Sequence, residues 1–535
     1  MSLRKEKEYG FGPGKGSEIV EIIVKSKAPD LGIPPEACLI EGSLDPCTIV
    51  IFGASGDLTA RKLIPALYDL YLNGALPTPF LIVGCARTKW TRQDFQGRMA
   101  EAIKEAGNMD RSQWPAFATS LYYQPLEYDS LPSYTQLADF LRDLDRKHST
   151  GGNRIFYLAI PPSLYKMSAQ MLGQKGLSVE RVDGKGWCRI VVEKPFGRDL
   201  STAIDLDQTL HESFQEHQIY RIDHYLAKET VQNMLIFRFG NAIFEPIWNR
   251  GYIDYVGVIA AETLGVENRA GYYEEAGVLR DMFQNHMMQL LALTAMEPPS
   301  LSEADRVRDE KVKVFRSLKP LPDKDQEENL ILGQYAPGKI DSTMVPGYRD
   351  EPGVNPQSLT PTFAIMRVFI DNWRWRGIPF YIVSGKRLAR KLTEIVIQFK
   401  EVPHSMFQNV LGEHIMANRL ILRIQPDERI TLTFQTKNPG ARFCLRSVTM
   451  DFYYYENYGG PIVEAYEKVL LDCIQGDHLL FWRQDAVELC WSFLSPILEQ
   501  LEKSPERTEK LHPYESGAWG PEAAQAWMRL IIGNR

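Results

Sequence analysis

The sequence predicts an α/β domain built on a parallel sheet, followed by an α+β domain whose large sheet is mostly antiparallel. Two patterns carry this reading. From residue 48 onward, short apolar runs at 48–52, 80–84, 154–160 and 189–192 alternate with helical stretches, the first over 62–72. Strands that are apolar on both faces lie between layers of helix, so these runs imply βαβ units. Beyond about residue 240 the strands change character. Ile430, Leu432 and Phe434 alternate with Thr431, Thr433 and Gln435, the period of a strand with one wet face. The runs at 393–400, 419–425 and 448–454 read as its neighbours. A sheet covered on one side leaves the other free, and association of copies into a homodimer or homotetramer across it is expected. The amphipathic helix at 484–501 reads as a packing element.

Composition bounds the function. A chain of 535 residues exceeds one ordinary core and predicts two large domains plus tails. With 44% hydrophobic and 24% charged residues it belongs with folded globular proteins. The net charge of -7, without a dense Lys/Arg block, argues against a nucleic-acid partner but leaves room for a local basic pocket. The longest apolar stretch, 287–296, is too short for a bilayer and is interrupted by Gln289. The start, MSLRKEKEYGFGPGKG, lacks the apolar core of a secretion signal, so no membrane and a cytoplasmic location are expected. Seven cysteines are scattered without a CxxC pair, which reads as reduced thiols and no metal site.

The segment IVIFGASGDLTARKLIPALYDLY sets Gly53, Ala54, Ser55, Gly56, Asp57 and Leu58 between the first strand and the first helix. Glycines there let the backbone turn tightly and approach a pyrophosphate at the helix N-terminus, where unpaired N–H groups favour anions. The turn is not a Walker loop, since Leu58 stands where a second glycine is required, and its spacing is not GxGxxG. An ordinary tight turn would look the same. The next strand, FLIVGCARTK, adds a clue by ending in Arg87, where an NAD enzyme usually carries an acidic residue. An arginine suits the 2′-phosphate of NADP, although a solvated surface arginine would also fit. The expected division is an N-terminal extension over 1–45, a Rossmann-like NADP-binding domain over 46–223, and an α+β substrate and dimerisation domain over 224–535.

Three further segments sharpen the picture: EKPFG at 193–197, RIDHYLAKE at 221–229 and RDMFQNH at 280–286. RIDHYLAKE offers His224, Tyr225 and Lys228 as donors within a short span, suited to a phosphate dianion. His286 has the near-neutral pKa of a general base, and Asp223 and Asp281 are both available to orient it. Asp281 lies five residues earlier on an expected helix, which points the two side chains about 140° apart. Asp223 carries no such restriction.

With GASGDL, WNRGYID, LGQY at 332–335 and RGIPF at 376–380, these segments make the chain resemble the glucose-6-phosphate dehydrogenase family from about residue 47 to about 501. The resemblance implies oxidation of glucose 6-phosphate to 6-phospho-D-glucono-1,5-lactone with hydride transfer to NADP, the first step of the oxidative pentose phosphate pathway. It makes His286 the base and Asp223 its partner. Lys194, His224, Tyr225, Lys228, Glu262, Asp281, Lys386 and Lys391 become substrate-binding residues, with Lys194 also near the nicotinamide. Family members with a second, structural NADP carry basic residues where this chain has Val383 and Leu392, which puts that site in doubt. A dehydrogenase of another hexose phosphate, or an NADP-binding sensor of the same fold, remains an alternative.

If Arg87 selects the 2′-phosphate, Arg87→Ala weakens NADP use by about 10- to 150-fold, the worth of one charge-assisted hydrogen bond, and leaves NAD use nearly unchanged. Steady-state kinetics with both cofactors checks this, and equal losses would remove the role.

Overall fold

A computed structural model of the chain describes residues 21–22, 43–107, 109–180, 186–407, 416–440, 444–456, 463–504 and 508–533. The expected N-terminal extension lies almost wholly outside them.

Six parallel strands form the first sheet, in the order Leu121–Pro125, Phe80–Ala86, Cys47–Phe52, Arg154–Leu158, Cys188–Val192, Ile219–Arg221. Taken in chain order this is 3-2-1-4-5-6, the doubly wound arrangement whose ligand crevice opens where the order reverses. Cys47–Phe52 is buried along its whole length, as its apolar run requires. The strands Leu121–Pro125 and Ile219–Arg221 are short and were not legible as apolar runs. Helix Arg92–Ala106 shows how locally its ends are written: Thr91 and Asp94 cap its start reciprocally, and Gly107 ends it in the left-handed conformation.

Ten strands form the second sheet, in the order Glu21–Ile22, Leu445–Tyr453, Arg429–Lys437, Arg419–Gln425, Leu392–Phe399, Ile253–Ala261, Pro379–Gly385, Phe363–Phe369, Leu330–Ala336, Leu511–Glu515. Most neighbours are antiparallel. The pairs Ile253–Ala261 with Pro379–Gly385, Leu330–Ala336 with Leu511–Glu515, and Glu21–Ile22 with Leu445–Tyr453 are parallel.

One face of this sheet packs on the buried helices through Val256, Val258, Ile395, Ile397 and Leu420, in a core shared with the first domain. The other face is less open than expected. Helix Gln525–Ile532 lays Met528, Ile531 and Ile532 over Ile259, Val383, Leu392 and Val396. Among the described residues the open part lies at the outer strands, where every residue of Arg429–Lys437 but the exposed Lys437 is half-buried. Thr433 and Gln435 pair there with Thr449 and Ser447 of the neighbouring strand. Val383 and Leu392 are part of this apolar core.

The C-terminal segment also returns to the first domain. Val469, Leu470, Cys473 and Ile474 of helix Ala465–Gln475 are buried in the core beneath the first sheet, beside Ile49, Leu67 and Tyr157. Helix Gln484–Lys503 packs its apolar stripe inward through Val487, Trp491 and Leu494, as its amphipathic pattern predicts.

Gly53 sits at the crevice with φ +84°, and a Cβ built on it would lie 2.0 Å from the carbonyl oxygen of Ala159. Gly53→Ala therefore combines left-handed strain with a backbone clash. It should lower unfolding stability by more than about 2 kcal/mol, measured by chemical denaturation. A near-neutral substitution would show that the turn relaxes freely.

Candidate active site

The register of the first sheet places several predicted residues at one edge without further argument. Phe52 stands beside Cys85 and Leu158, Leu158 beside Val192, and Val192 beside Arg221. The segments that follow these strands carry the glycine turn, Arg87, Lys194 and Asp223, all at the carboxyl edge where ligands of such sheets bind. The amides of Gly53 and Ala54 donate to Cys85 O at 2.8 and 3.1 Å, and Gly56 N donates to Gly53 O at 2.9 Å. The turn is thus folded against the next strand and leads into a helix whose first ordered stretch, Thr59–Leu63, is π-helical before Ile64–Leu72 continues as α. Ala54 is buried, while Ser55, Gly56 and Asp57 are exposed and Leu58 is half-buried. Thr88 Oγ1 donates to Ser55 Oγ at 3.2 Å, which ties the turn to the segment carrying exposed Arg87. This cradle fits a dinucleotide phosphate, because Gly53 admits no side chain and leading N–H groups of a helix open on the crevice.

The second sheet supplies a second edge. Ala261 pairs with Gly385 and with Leu392, so the residues just beyond, Glu262, Lys386 and Lys391, share one end of three adjacent strands. Lys386 Nζ donates to Glu262 Oε2 at 2.5 Å.

Between these edges runs the segment Leu279–Met287, and here the helical expectation is corrected. The segment is a π-helix, not an α-helix. Its i→i+5 pattern brings residues five apart nearly over one another, so Asp281 and His286 lie on one side instead of about 140° apart. Lys194 meets both: its Nζ donates to Asp281 O at 3.1 Å, to Asp281 Oδ1 at 3.3 Å and to His286 Nε2 at 2.9 Å. On the opposite side of the ring, His286 Nδ1 donates to Asp223 Oδ1 at 2.5 Å, with both side chains 1% exposed. That carboxylate fixes the tautomer and leaves Nε2 as the lone-pair nitrogen.

Tyr225 stacks on the imidazole at 4.2 Å and 21°, and its amide donates to Asp223 Oδ1 at 3.0 Å. His224 approaches the same ring edge-on at 4.8 Å. Lys228 Nζ lies 4.3 Å from the Tyr225 ring centre and donates to Gln425 Oε1 at 2.8 Å.

Three partners escaped sequence reasoning: Trp482 donates to Asp223 Oδ2 at 3.3 Å, Tyr272 OH donates to Asp281 Oδ1 at 3.3 Å, and Gln425 holds Lys228. None belongs to a short motif, and only the fold brings them to the site. A separate group of possible metal ligands, Asp207, His211 and Glu216, is already crossed by Arg221, which donates to Asp207 Oδ1 at 2.5 Å and Glu216 Oε1 at 2.9 Å.

Electrostatics divides the site into a depressed imidazole and a cluster of lysines. Burial and Lys194 together hold His286 below the usual imidazole range although Asp223 pulls it up. Burial alone would raise Asp223 and Asp281; His286 chiefly reverses this for the first, and Lys194 with Lys386 for the second, so both are ionised. Burial, then exposed Lys391, pushes Lys228 down to about 8. Cations crowded against one another in a partly dry pocket mark the place of an anion.

Fold and site together define a two-domain, nicotinamide-dinucleotide-linked oxidoreductase. Two family models cover nearly all of the described domains: "Glucose-6-phosphate dehydrogenase, NAD binding domain" over residues 50–233 and "Glucose-6-phosphate dehydrogenase, C-terminal domain" over 235–530. The chain belongs to the glucose-6-phosphate dehydrogenase family. The glucose-6-phosphate 1-dehydrogenase of Aggregatibacter actinomycetemcomitans is 48% identical over 89% of this chain and 94% of that protein; the one of Treponema pallidum is 45% identical over 90% and 93%. A glucose-6-phosphate dehydrogenase solved in complex with its substrate superposes with a TM-score of 0.83 at 34% identity, covering 91% of this chain and 98% of that one.

The titrations above predict a bell-shaped pH dependence of kcat/KM. If His286 acts as the base it must be neutral, so the acid limb falls below the ordinary value of 6.5; if Lys228 holds an anionic substrate, loss of its proton brings the basic limb down near about 8. A pH–rate profile with saturating cofactor measures both. An acid limb at or above 6.5 would contradict the depressed imidazole.

Proposed function

We propose that the protein oxidises D-glucose 6-phosphate at C1, giving 6-phospho-D-glucono-1,5-lactone, with NADP as the hydride acceptor. The observation that carries the reading is the imidazole of His286, tied at Nδ1 to a buried carboxylate and turned at Nε2 toward the cation that bridges the two domains. When bound, the nicotinamide supplies the hydride-accepting carbon. The chain's own groups do the rest. His286 Nε2 takes the proton of the C1 hydroxyl as the hydride leaves that carbon and the C1–O double bond forms. Asp223 stabilises the imidazolium that results. Lys194 gives up its contact with Nε2 to the incoming hydroxyl and stays bound to Asp281. In this reading Asp281, Glu262 and Lys386 meet the sugar hydroxyls, and His224, Tyr225, Lys228 and Lys391 the phosphate.

The glycine turn from Gly53 to Leu58 would hold the cofactor's pyrophosphate, and Arg87 its 2′-phosphate. No helix among the described residues is long and apolar enough to cross a membrane. The six described cysteines are free, which suits a reducing, cytoplasmic compartment. Self-association is assigned to the open outer strands of the second sheet.

The test is the rate of NADPH absorbance on adding glucose 6-phosphate. His286→Asn should cut kcat by about 10²- to 10⁴-fold, with a much smaller change in KM. His224→Ala and Lys228→Ala should damage turnover of glucose 6-phosphate far more than residual activity on free glucose. Equal damage on both sugars would move these two residues out of the phosphate pocket.

A further inference from the structure

Asp223 has two carboxylate oxygens in a site closed to water, and their partners differ. Oδ1 accepts from His286 Nδ1 and from the amide of Tyr225. Oδ2 accepts from the indole of Trp482 alone among the described residues. A carboxylate hydrogen-bonded through one oxygen only can still rotate about its Cβ–Cγ bond and withdraw from the imidazole. A donor fixed to the second oxygen removes that freedom, and in a dry site an unpaired anionic oxygen is costly.

Trp482 is itself immobilised. It is fully buried, its backbone N–H donates to Arg221 O at 3.0 Å, and it forms a bridge with Arg221 two residues before Asp223. Its ring lies parallel to Phe315 of helix Ala304–Arg316 at 5.9 Å and 15°. The same helix sends buried Lys311 to Gln289 Oε1 at 3.0 Å, three residues beyond His286. One helix thus packs on Trp482 and also holds the helix that continues from His286.

We propose that Trp482 is a positioning residue for the reaction: its indole N–H holds the Asp223 carboxylate in the rotation that keeps Oδ1 on His286. This role rests on the assignment of His286 and Asp223 made above. It acts on the chemical step, because the hydrogen bonds and ring contact of Trp482 among the described residues go to Asp223, Arg221 and Phe315.

The experiment is a double-mutant cycle on the full-length enzyme with glucose 6-phosphate and NADP. Trp482→Phe keeps a buried aromatic against Phe315 and deletes the N–H. It should lower kcat roughly 10- to 100-fold, as expected for a hydrogen bond to a charged group, and change KM less than about threefold. In an Asp223→Asn background the same substitution should cost less than about twofold more, since the anion it serves is gone. If Trp482→Phe folds poorly, benzothienylalanine at 482, in which sulfur replaces the N–H of an otherwise similar ring, gives the same comparison. An equal loss in both backgrounds, or a loss confined to KM, marks a merely structural side chain and overturns the proposal. Loss of kcat on Asp223→Asn with none on removing the N–H overturns the indole's role alone. Should Asp223→Asn leave kcat intact, the base assignment itself fails and takes this role with it.

Discussion

A buried imidazole can serve as a base only if its tautomer is fixed and its free nitrogen faces the substrate. In this protein His286 is held at Nδ1 by Asp223 and met at Nε2 by Lys194. Asp223 follows the last strand of the first sheet, Lys194 follows the strand beside it, and His286 comes from a helix packed under the second sheet. No single domain could assemble this line. The core that crosses from one domain into the other is what holds its parts together.

The π-helical turn is the local device that makes the line work. In an α-helix Asp281 would point away from His286 and Lys194 could satisfy only one of them. The wider turn sets both on the side facing Lys194, so one ammonium joins a carboxylate and the imidazole. The cost is a less regular ladder of backbone bonds, tolerated here because the segment is buried on nearly every residue. The second sheet contributes through register: the pairing of Ala261 with Gly385 and Leu392 brings a glutamate and two lysines from distant parts of the chain to one end.

Much of this was legible beforehand, and the reasons differ by element. The parallel strands Cys47–Phe52 and Cys188–Val192 announced themselves because burial on both faces demands continuous apolar residues. The alternating strand Arg429–Lys437 did so through its half-wet faces. Ile253–Ala261, the strand at the centre of the second sheet, gave no alternation because both of its faces are covered. The coverage comes from helix Gln525–Ile532, and nothing in residues 253–261 reports on a helix at the far end of the chain. Motifs such as RIDHYLAKE kept site residues close together, so short-range reading found them. Trp482 and Gln425 reach Asp223 and Lys228 across 259 and 197 residues, and only tertiary structure could disclose them.

The distribution of charge closes the account. The chain is acidic overall, with a net charge of -7, yet its site gathers Lys194, Lys228 and the pair Lys386 and Lys391 from three separate stretches. Two of these lysines have carboxylates within reach: Lys194 has Asp281, and Lys386 has Glu262. Lys228 instead leans on a neutral amide, Gln425, and is destabilised as a cation by burial and by Lys391. The imbalance is local and asymmetric. Carboxylates accompany Lys194 and Lys386, an arrangement suited to the proposed contacts with neutral sugar hydroxyls, which need acceptors as well as donors. Lys228, beside His224, has an amide as its hydrogen-bond partner, and the pull of Glu428 on it is outweighed by burial and Lys391, which suits a dianion that brings its own charge. A surface selected only for solubility has no reason to sort its cations this way, whereas a pocket that must hold a phosphate at one end and a reacting hydroxyl at the other does.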